Sequence, residues 1–240
     1  MAGHSKWANI KHRKGKADAI KGKVFTHLTK EIISAVKQGG ADPKTNSRLR
    51  LVVQKARAAN LPNDNIERNI KKASSPDQAD FSEMTYELYG YGGVGILAEV
   101  MTDNKNRTAT DMRIATNKRG GTIASPGAVA FNFDRKGVIQ VTHKGMDADA
   151  LFLAVSDAGA DDLEETDELF VITTPPELLY QVKEAIEAIG GLCEEASLEM
   201  LPKVYISCNP EATDSNLALI EWLEALEDVD AVYHNMKVEN

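Results

Sequence analysis

The stretch GVIQVTHKGMDADALFLAVSDAG, residues 137–159, predicts a β-strand followed directly by an α-helix. Its start, GVIQV, is a short apolar run typical of a strand, and DADALFLAVSDAG has the pattern of a helix. Two strands are expected next, around Asp161–Thr174, then a helix in PPELLYQVKEAIEAIG and a strand in CEEASLEML. The resulting order, β-α-β-β-α-β, is that of a split βαβ or ferredoxin-like unit.

Segments on both sides of this unit predict a second unit of the same kind. Before it, TYELYGYGGVGILAEVMT predicts two strands around a glycine turn, residues 105–119 a helix, and GAVAFNFDR a strand. After it come the strand KVYISC, the helix DSNLALIEWLEALEDV and the strand AVYHNMKV. We therefore expect an α+β fold in which one ferredoxin-like α/β domain is inserted into another. The predicted middle domain comprises residues 81–134 plus 203–240, and the inserted domain residues 135–202.

An N-terminal three-helix domain is predicted over residues 23–80. The first helix, over 24–38, carries an apolar stripe of Phe25, Leu28, Ile32, Ile33 and Val36, and Gly39-Gly40 ends it. In NSRLRLVVQKARAAN, apolar residues recur at i, i+3, i+4 and i+7, which predicts the second helix. LPNDNIERNIKKA predicts a short third helix in which Asp64 and Glu67 have the spacing of a capping box. Residues 1–22 show no sustained apolar period and are expected to form an extended basic arm.

Charge is distributed very unevenly along this acidic chain, whose net charge is −8. Residues 1–72 contain 17 Lys or Arg and 5 Asp or Glu, a net charge of +12, whereas residues 137–240 contain 4 and 23, a net charge of −19. A segment as basic as the first repels itself unless it meets an anionic partner. Because the Debye length is about 8 Å at physiological salt, carboxylates on a separate domain are mostly screened from it. The charge pattern therefore predicts a nucleic-acid partner.

The candidate nucleic-acid-binding residues are the cations of the arm and helices, with two aromatic side chains of the arm and a polar-basic loop, TDNKNR, at residues 102–107. Trp7 can either stack on a base or pack the arm against the body of the protein. The complete set is Lys6, Trp7, Lys11, His12, Arg13, Lys14, Lys16, Lys21, Lys23, Lys30, Arg48, Lys55, Arg57, Arg68, Lys71, Lys72, Lys105 and Arg107.

Other classes of function find little support in the sequence. No apolar run approaches the roughly 18 residues of a membrane-spanning helix. Cys193 and Cys208 match neither a disulfide framework nor a metal site, and we interpret them as buried thiols of a cytoplasmic protein. No hydrolase, metalloprotease or nucleotide-binding motif is present. We expect no enzymatic activity, no cofactor, no metal, no membrane partner and no small-molecule substrate.

Four segments together resemble the YebC/PmpR family, which has mitochondrial relatives that include the translational activator of cytochrome c oxidase. They are MAGHSKWANIKHRKGKAD, NSRLRLVVQKARAANLPNDNIERNIKKA, GGVGILAEVMTDNKNRT with Arg113, and AVAFNFDRKGVI. One departure is Tyr91, where relatives often have proline before the paired glycines. The resemblance implies a helical domain, two α/β domains, and a non-enzymatic cytoplasmic protein. It also implies a DNA-binding regulator of transcription, although other members act in translation, associate with ribosomes and ease synthesis through proline-rich stretches.

Three functions therefore remain open on the sequence alone. The first is transcriptional regulation by DNA binding, although no helix-turn-helix with a clear recognition helix is evident. The second is a ribosome- or tRNA-associated translation factor, since a basic arm suits RNA phosphates and exposed bases. The third is a protein-interaction scaffold that uses the acidic domains, which a large exposed apolar patch would favour.

Overall fold

The computed structural model describes residues 21–75 and 80–238, with the side chains of residues 21–23 left out. Within these residues the chain forms seven α-helices and two four-stranded antiparallel sheets, which confirms the predicted α+β class. No helix among them is both long and apolar enough to span a bilayer. In chain order the elements are α1 (Lys21–Gly39), α2 (Ser47–Ala58), α3 (Asn63–Ala73), β1 (Ser82–Tyr89), β2 (Gly95–Thr102), α4 (Lys105–Arg119), β3 (Thr122–Ile123), β4 (Phe133–Thr142), α5 (Ala148–Asp157), β5 (Asp162–Glu165), β6 (Leu169–Thr174), α6 (Leu179–Ala188), β7 (Cys193–Pro202), α7 (Pro210–Ala225) and β8 (Val229–His234).

The three N-terminal helices pack around a core built from the predicted apolar stripes. Its buried members include Leu28, Ile32, Ile33, Val36, Leu49, Val52, Val53, Ala56 and Ile66. Asn46 caps α2, because its side chain accepts a hydrogen bond from the backbone N–H of Leu49 at 3.0 Å and donates to the carbonyl of Ala35 at 2.8 Å. The predicted capping box at Asp64 is wrong: α3 begins two residues earlier than such a box would place it, and Pro62 occupies its cap position without a side-chain hydrogen bond.

The first sheet has the strand order β3-β1-β2-β8. β1 and β2 form the predicted hairpin, paired from Ser82 with Thr102 to Tyr89 with Gly95, and the turn between them places Gly92 at φ +68°. Helices α4 and α7 cover one face of this sheet through a buried cluster. That cluster includes Leu88, Ile96, Ala98, Val100, Met112, Ala115, Leu219, Leu223 and Val232. The helix over 105–119 was predicted at its observed bounds, whereas the C-terminal helix was predicted over 214–229 and lies four residues earlier.

The second sheet has the order β5-β6-β4-β7, with every neighbouring pair antiparallel. Helices α5 and α6 pack on one face of it, where Leu151 and Ile186 meet Ile139 and Ile172. The chain therefore runs β-α-β-β-α-β from β4 to β7, the order predicted for this part of the sequence.

Two predicted strands differ from the structure. KVYISC, residues 203–208, is not a strand of the first sheet and contributes a single bridge, between Ile206 and Met236 just beyond the end of β8. GAVAFNFDR is not a separate strand: Ala130–Asn132 is a short 3-10 turn, and Phe133 opens β4 of the second sheet. Strands of the first sheet come from residues 82–123 and 229–234, and those of the second from 133–202. The division of the chain into a middle domain and an inserted domain stays our proposal.

Candidate nucleic-acid interface

Helix α2 exposes cations because four of its apolar residues form one buried face. Leu49, Val52, Val53 and Ala56 recur with helical spacing and are buried, so the positions between them point to solvent. Arg50, Lys55 and Arg57 are exposed on that outer side. Lys55 has only a distant carboxylate, Glu31, at 3.7 Å. Arg50 belongs with these residues, although it was not among the predicted site residues.

Helix α3 continues this basic character beyond a four-residue turn. Arg68, Lys71 and Lys72 are exposed, while Ile66 and Ala73 face the core. Within the described part of the chain, no carboxylate lies within 4 Å of any of these three cations. We call Arg50, Lys55, Arg57, Arg68, Lys71 and Lys72 the helical cations. A phosphate can therefore bind to these cations without first breaking a strong ion pair.

Lys30 does not belong to the exposed basic surface, which corrects the prediction. Its side chain is 7% exposed, and its ammonium donates to the carbonyl oxygens of Met101 at 3.2 Å and Glu227 at 3.0 Å. It also lies 3.2 Å from a carboxylate oxygen of Asp228. Lys30 therefore joins α1 to the first sheet and is not available to a ligand.

Arg107 was predicted both as a cation of the polar-basic loop over 102–107 and as part of the helix over 105–119; the helix is confirmed and the loop is wrong for residues 105–107. These residues form the first turn of α4, capped by Asn104, and the Arg107 guanidinium donates to Asp228 at 2.8 Å and to Asp103 at 2.9 Å. These partners raise the pKa of Arg107. Arg107 is therefore engaged by two carboxylates, whereas Lys105 is exposed on the same turn.

Asp228 is the centre of this network and receives four side-chain donors. They are Lys30, Arg107, Thr102 at 3.0 Å and Thr108 at 2.9 Å. Burial opposes ionisation of this carboxyl, but the hydrogen bonds from Arg107, the two threonines and Lys30 outweigh it and lower the pKa of Asp228. The network joins four elements: α1, the end of β2, the start of α4 and the residue that precedes β8.

Arg48 is bound on one side by Glu83, at the start of β1, and by Gln38 at 2.5 Å. It therefore supports the contact between α2 and the first sheet and is a weaker candidate for phosphate binding. The other predicted residues lie outside the described side chains: Lys6, Trp7, Lys11, His12, Arg13, Lys14 and Lys16 precede residue 21, and Lys21 and Lys23 belong to the first turn of α1.

His27 makes the junction between α1 and the first sheet sensitive to pH. Its Nδ1 lies 2.7 Å from Asp230, and Glu31 is nearby. Burial, and to a smaller extent Lys55, lowers the pKa of His27. The Asp230 and Glu31 carboxylates raise it by more, so that the pKa lies above its ordinary value. A histidine whose folded pKa is raised adds stability at acidic pH, and that contribution is lost as the pH rises through the folded pKa.

We expect the melting temperature of the wild type to fall between about pH 6 and about pH 8.5 by more than that of a His27→Gln variant. Thermal denaturation at the two pH values measures this difference. Asp230→Asn should reduce the dependence in the same way, since it removes the partner that favours the imidazolium. Equal pH dependence in all three proteins would contradict the assignment.

Two models of known protein families match this chain. The family described as "TACO1/YebC protein N-terminal domain" matches residues 5–76, and "TACO1/YebC second and third domain" matches residues 81–236. These two matches together cover nearly the whole chain.

Whole-length relatives and a solved structure agree with those matches. A probable transcriptional regulatory protein of Protochlamydia amoebophila is 68% identical over 238 residues, covering 99% of this chain and 97% of the relative. A protein of the same name from Chlamydia muridarum is 57% identical over 237 residues, covering 98% of this chain and 100% of the relative. The crystal structure of a conserved hypothetical protein from Aquifex aeolicus superposes with a TM-score of 0.84 at 38% identity, covering 98% of this chain and 97% of that one.

Proposed function

This chain belongs to the TACO1/YebC family, and from that premise we propose that it regulates gene expression by binding nucleic acid through the helical cations, without catalysis of its own. The observation that carries the proposal is the exposure of these six cations on two adjacent helices. Their amphipathic packing turns them outward, and the strongest ion pairs of the region are made by Lys30 and Arg107 instead. Polyphosphate backbones are the ligands that such exposed cations attract most strongly.

The names of the relatives favour transcription, and hence DNA, as the target. In this form of the proposal the helical cations contact the phosphates of a duplex, because the sequence shows no helix-turn-helix with a clear recognition helix. The described residues also include a long acidic region. Its Asp228 and Asp230 contact Lys30 and His27 of α1, but within the described part of the chain no carboxylate lies within 4 Å of Arg68, Lys71 or Lys72.

A second candidate is an RNA-directed role in translation. It is favoured by a cleft beside α3 that combines cations with aromatic side chains. RNA-binding proteins commonly hold unpaired bases against aromatic rings while cations contact the backbone.

The proposal is tested by the salt dependence of binding. Fluorescence anisotropy is recorded with a labelled duplex DNA and a labelled hairpin RNA over a series of salt concentrations. Each neutralised phosphate adds about 0.9 to the log-log slope on duplex DNA and about 0.7 on a single strand. The double variant Arg50→Gln/Arg57→Gln should bind more weakly, and its slope should fall by about that amount for every phosphate that it no longer neutralises.

The matched control is Lys144→Gln/Lys237→Gln, which removes the same charge from exposed positions in the acidic half of the chain. This control should retain the affinity and slope of the wild type. If the two double variants behave alike, general charge explains the binding and the helical cations are not the site. If the wild type binds neither polymer at low salt, the proposed function is wrong.

A further inference from the structure

A cleft of about 500 Å³ lies between the N-terminal helices and the first sheet. One wall is the polar face of α3, where Asn65, Arg68, Asn69 and Lys72 recur with the spacing of a single helical face. The opposite wall is formed by the start of α4 and the start of β8. The volume lies within the range of roughly 300–1,000 Å³ that is typical of clefts for small ligands.

The charges of this cleft fall into two groups with different roles. Lys30, Arg107, Asp103 and Asp228 are engaged with one another in a single network and balance in charge. Arg68 and Lys72, on the opposite wall, make no ion pair in the described part of the chain, and the Arg68 guanidinium donates only to Asn65, at 2.6 Å. Glu227 is the one remaining acid of the lining. The wall formed by α3 therefore presents two cations that are able to bind an anion.

The cleft also has aromatic and apolar lining. Phe25 of α1 and Phe81 before β1 are half-buried there, each with part of its ring accessible, and Ile33 and Leu61 lie beneath. Lys30 lies 5.9 Å from the centre of the Phe81 ring, which holds that side chain against the network. Two cations beside an apolar, aromatic floor suit a ligand with a phosphate at one end and a flat ring at the other.

From this geometry we infer that the cleft binds one unpaired nucleotide of a single-stranded nucleic acid, with its phosphate on Arg68 and Lys72 and its base against Phe25. This inference rests on the proposed function and specifies part of its ligand. A duplex does not satisfy the same site. The faces of bases in a duplex are covered by their stacked neighbours, so that none can lie against the Phe25 ring unless it leaves the stack. A single strand can turn one base inward.

Lys71 and Lys72 provide a matched pair of variants for the test. They are adjacent, equally charged and both exposed on α3, but only Lys72 lines the cleft. Binding of Lys71→Gln and Lys72→Gln is compared with the wild type by anisotropy, using labelled ten-residue oligouridine, ten-residue oligothymidine and a duplex DNA. We expect Lys72→Gln to weaken binding of the single strands by several-fold more than Lys71→Gln, with no such difference on the duplex.

Phe25→Leu provides an independent measurement on the same probes. Leucine preserves the apolar contact with the core but removes the ring, and loss of one base–aromatic stack should weaken single-strand binding by about tenfold. Melting curves check that the variant is folded; if it is not, the Lys71 and Lys72 pair still decides the question. If Phe25→Leu weakens binding of oligouridine more than binding of oligothymidine, the cleft is assigned to RNA. The reverse result assigns it to single-stranded DNA.

Two results separate this inference from the broader proposal. If the wild type binds the probes but Lys71→Gln and Lys72→Gln are equivalent on single strands, the cleft is not a nucleotide site and the proposed function stands. If Lys72→Gln weakens duplex binding as much as single-strand binding, the assignment to an unpaired nucleotide is wrong. If none of the probes binds to the wild type at low salt, the proposed function itself fails.

Discussion

Replacing Asp228 with Asn should lower the free energy of unfolding by about 3–5 kcal/mol. The change removes the negative charge that compensates Lys30, whose ammonium is buried between α1 and the first sheet. It also weakens the hydrogen bonds that Arg107, Thr102 and Thr108 donate to the same carboxylate. Removing one partner of a buried ion pair is costly because the remaining charge cannot be solvated.

Urea denaturation measures this effect, with the fluorescence of Trp222 on α7 as the probe in a Trp7→Phe background. Asp103→Asn is the control, because Asp103 binds the same Arg107 but is exposed, and exposed ion pairs contribute only about 0–1 kcal/mol. A loss below about 1 kcal/mol for Asp228→Asn would show that Lys30 finds sufficient compensation in backbone carbonyls alone.

The pH dependence gives the same prediction a second test. Because the folded pKa of Asp228 lies below its ordinary value, its contribution to stability is present above about pH 4 and is lost as the pH falls through the folded pKa. The difference in stability between the wild type and Asp228→Asn should therefore be constant near neutral pH and shrink on acidification below about pH 4.

Glu87→Ala should lower the free energy of unfolding by about 3 kcal/mol. The buried carboxylate of Glu87 accepts hydrogen bonds from the backbone N–H groups of Gly127 at 2.5 Å, Val129 at 2.6 Å and Ala130 at 2.8 Å. Burial opposes its ionisation, but these three bonds outweigh burial and lower the pKa of Glu87. Alanine would leave three backbone donors without their acceptor, and each unsatisfied buried donor costs on the order of 1–3 kcal/mol.

Glu83→Ala is the matched control for this variant, since Glu83 lies four residues earlier on β1 and is exposed. It removes the ion pair with Arg48, and a change of at most about 1 kcal/mol is expected. Glu87→Gln should fall between the two variants, because one acceptor oxygen remains. Hydrogen exchange of the Val129 amide, measured by NMR, should accelerate in Glu87→Ala. Unchanged exchange there would show that the loop over residues 124–130 is held by its other contacts.

Local patterns in the sequence predicted most of the secondary structure, for physical reasons that are visible in the core. The apolar positions of α2, such as Leu49 and Val53, are buried as their spacing requires. The β-α-β-β-α-β order of the second sheet follows from segments that each carry a clear period. The prediction of a strand at KVYISC was wrong because its apolar residues at 204 and 206 indicate a strand locally, whereas sheet pairing depends on partners distant in sequence, and here it is limited to the bridge between Ile206 and Met236.

The site could be predicted only in part, because it depends on contacts that are distant in sequence. Lys30 and Asp228 are separated by 198 residues, and helical spacing alone does not distinguish this buried lysine from the exposed Lys55. Likewise, Arg107 lies in a polar segment whose composition is typical of a solvent-exposed loop. In the structure it belongs to the first turn of α4 and donates to Asp228. The exposed cations of α2 and α3 could be predicted because their outward direction is fixed by the buried residues of the same helix.

The connection between the two sheets has a mechanical consequence. Both chain crossings into the second sheet are strands that pair with each other: Phe133 lies opposite Pro202 and Asp134 opposite Leu201, at the ends of β4 and β7. Phe133 is also buried with Leu97 and Tyr233 of the first sheet. A two-stranded ribbon anchored in this way resists twisting far more than two single-chain linkers would. The second sheet is therefore joined to the first through paired strands and a shared buried cluster, which limits how far the two sheets can rotate against each other.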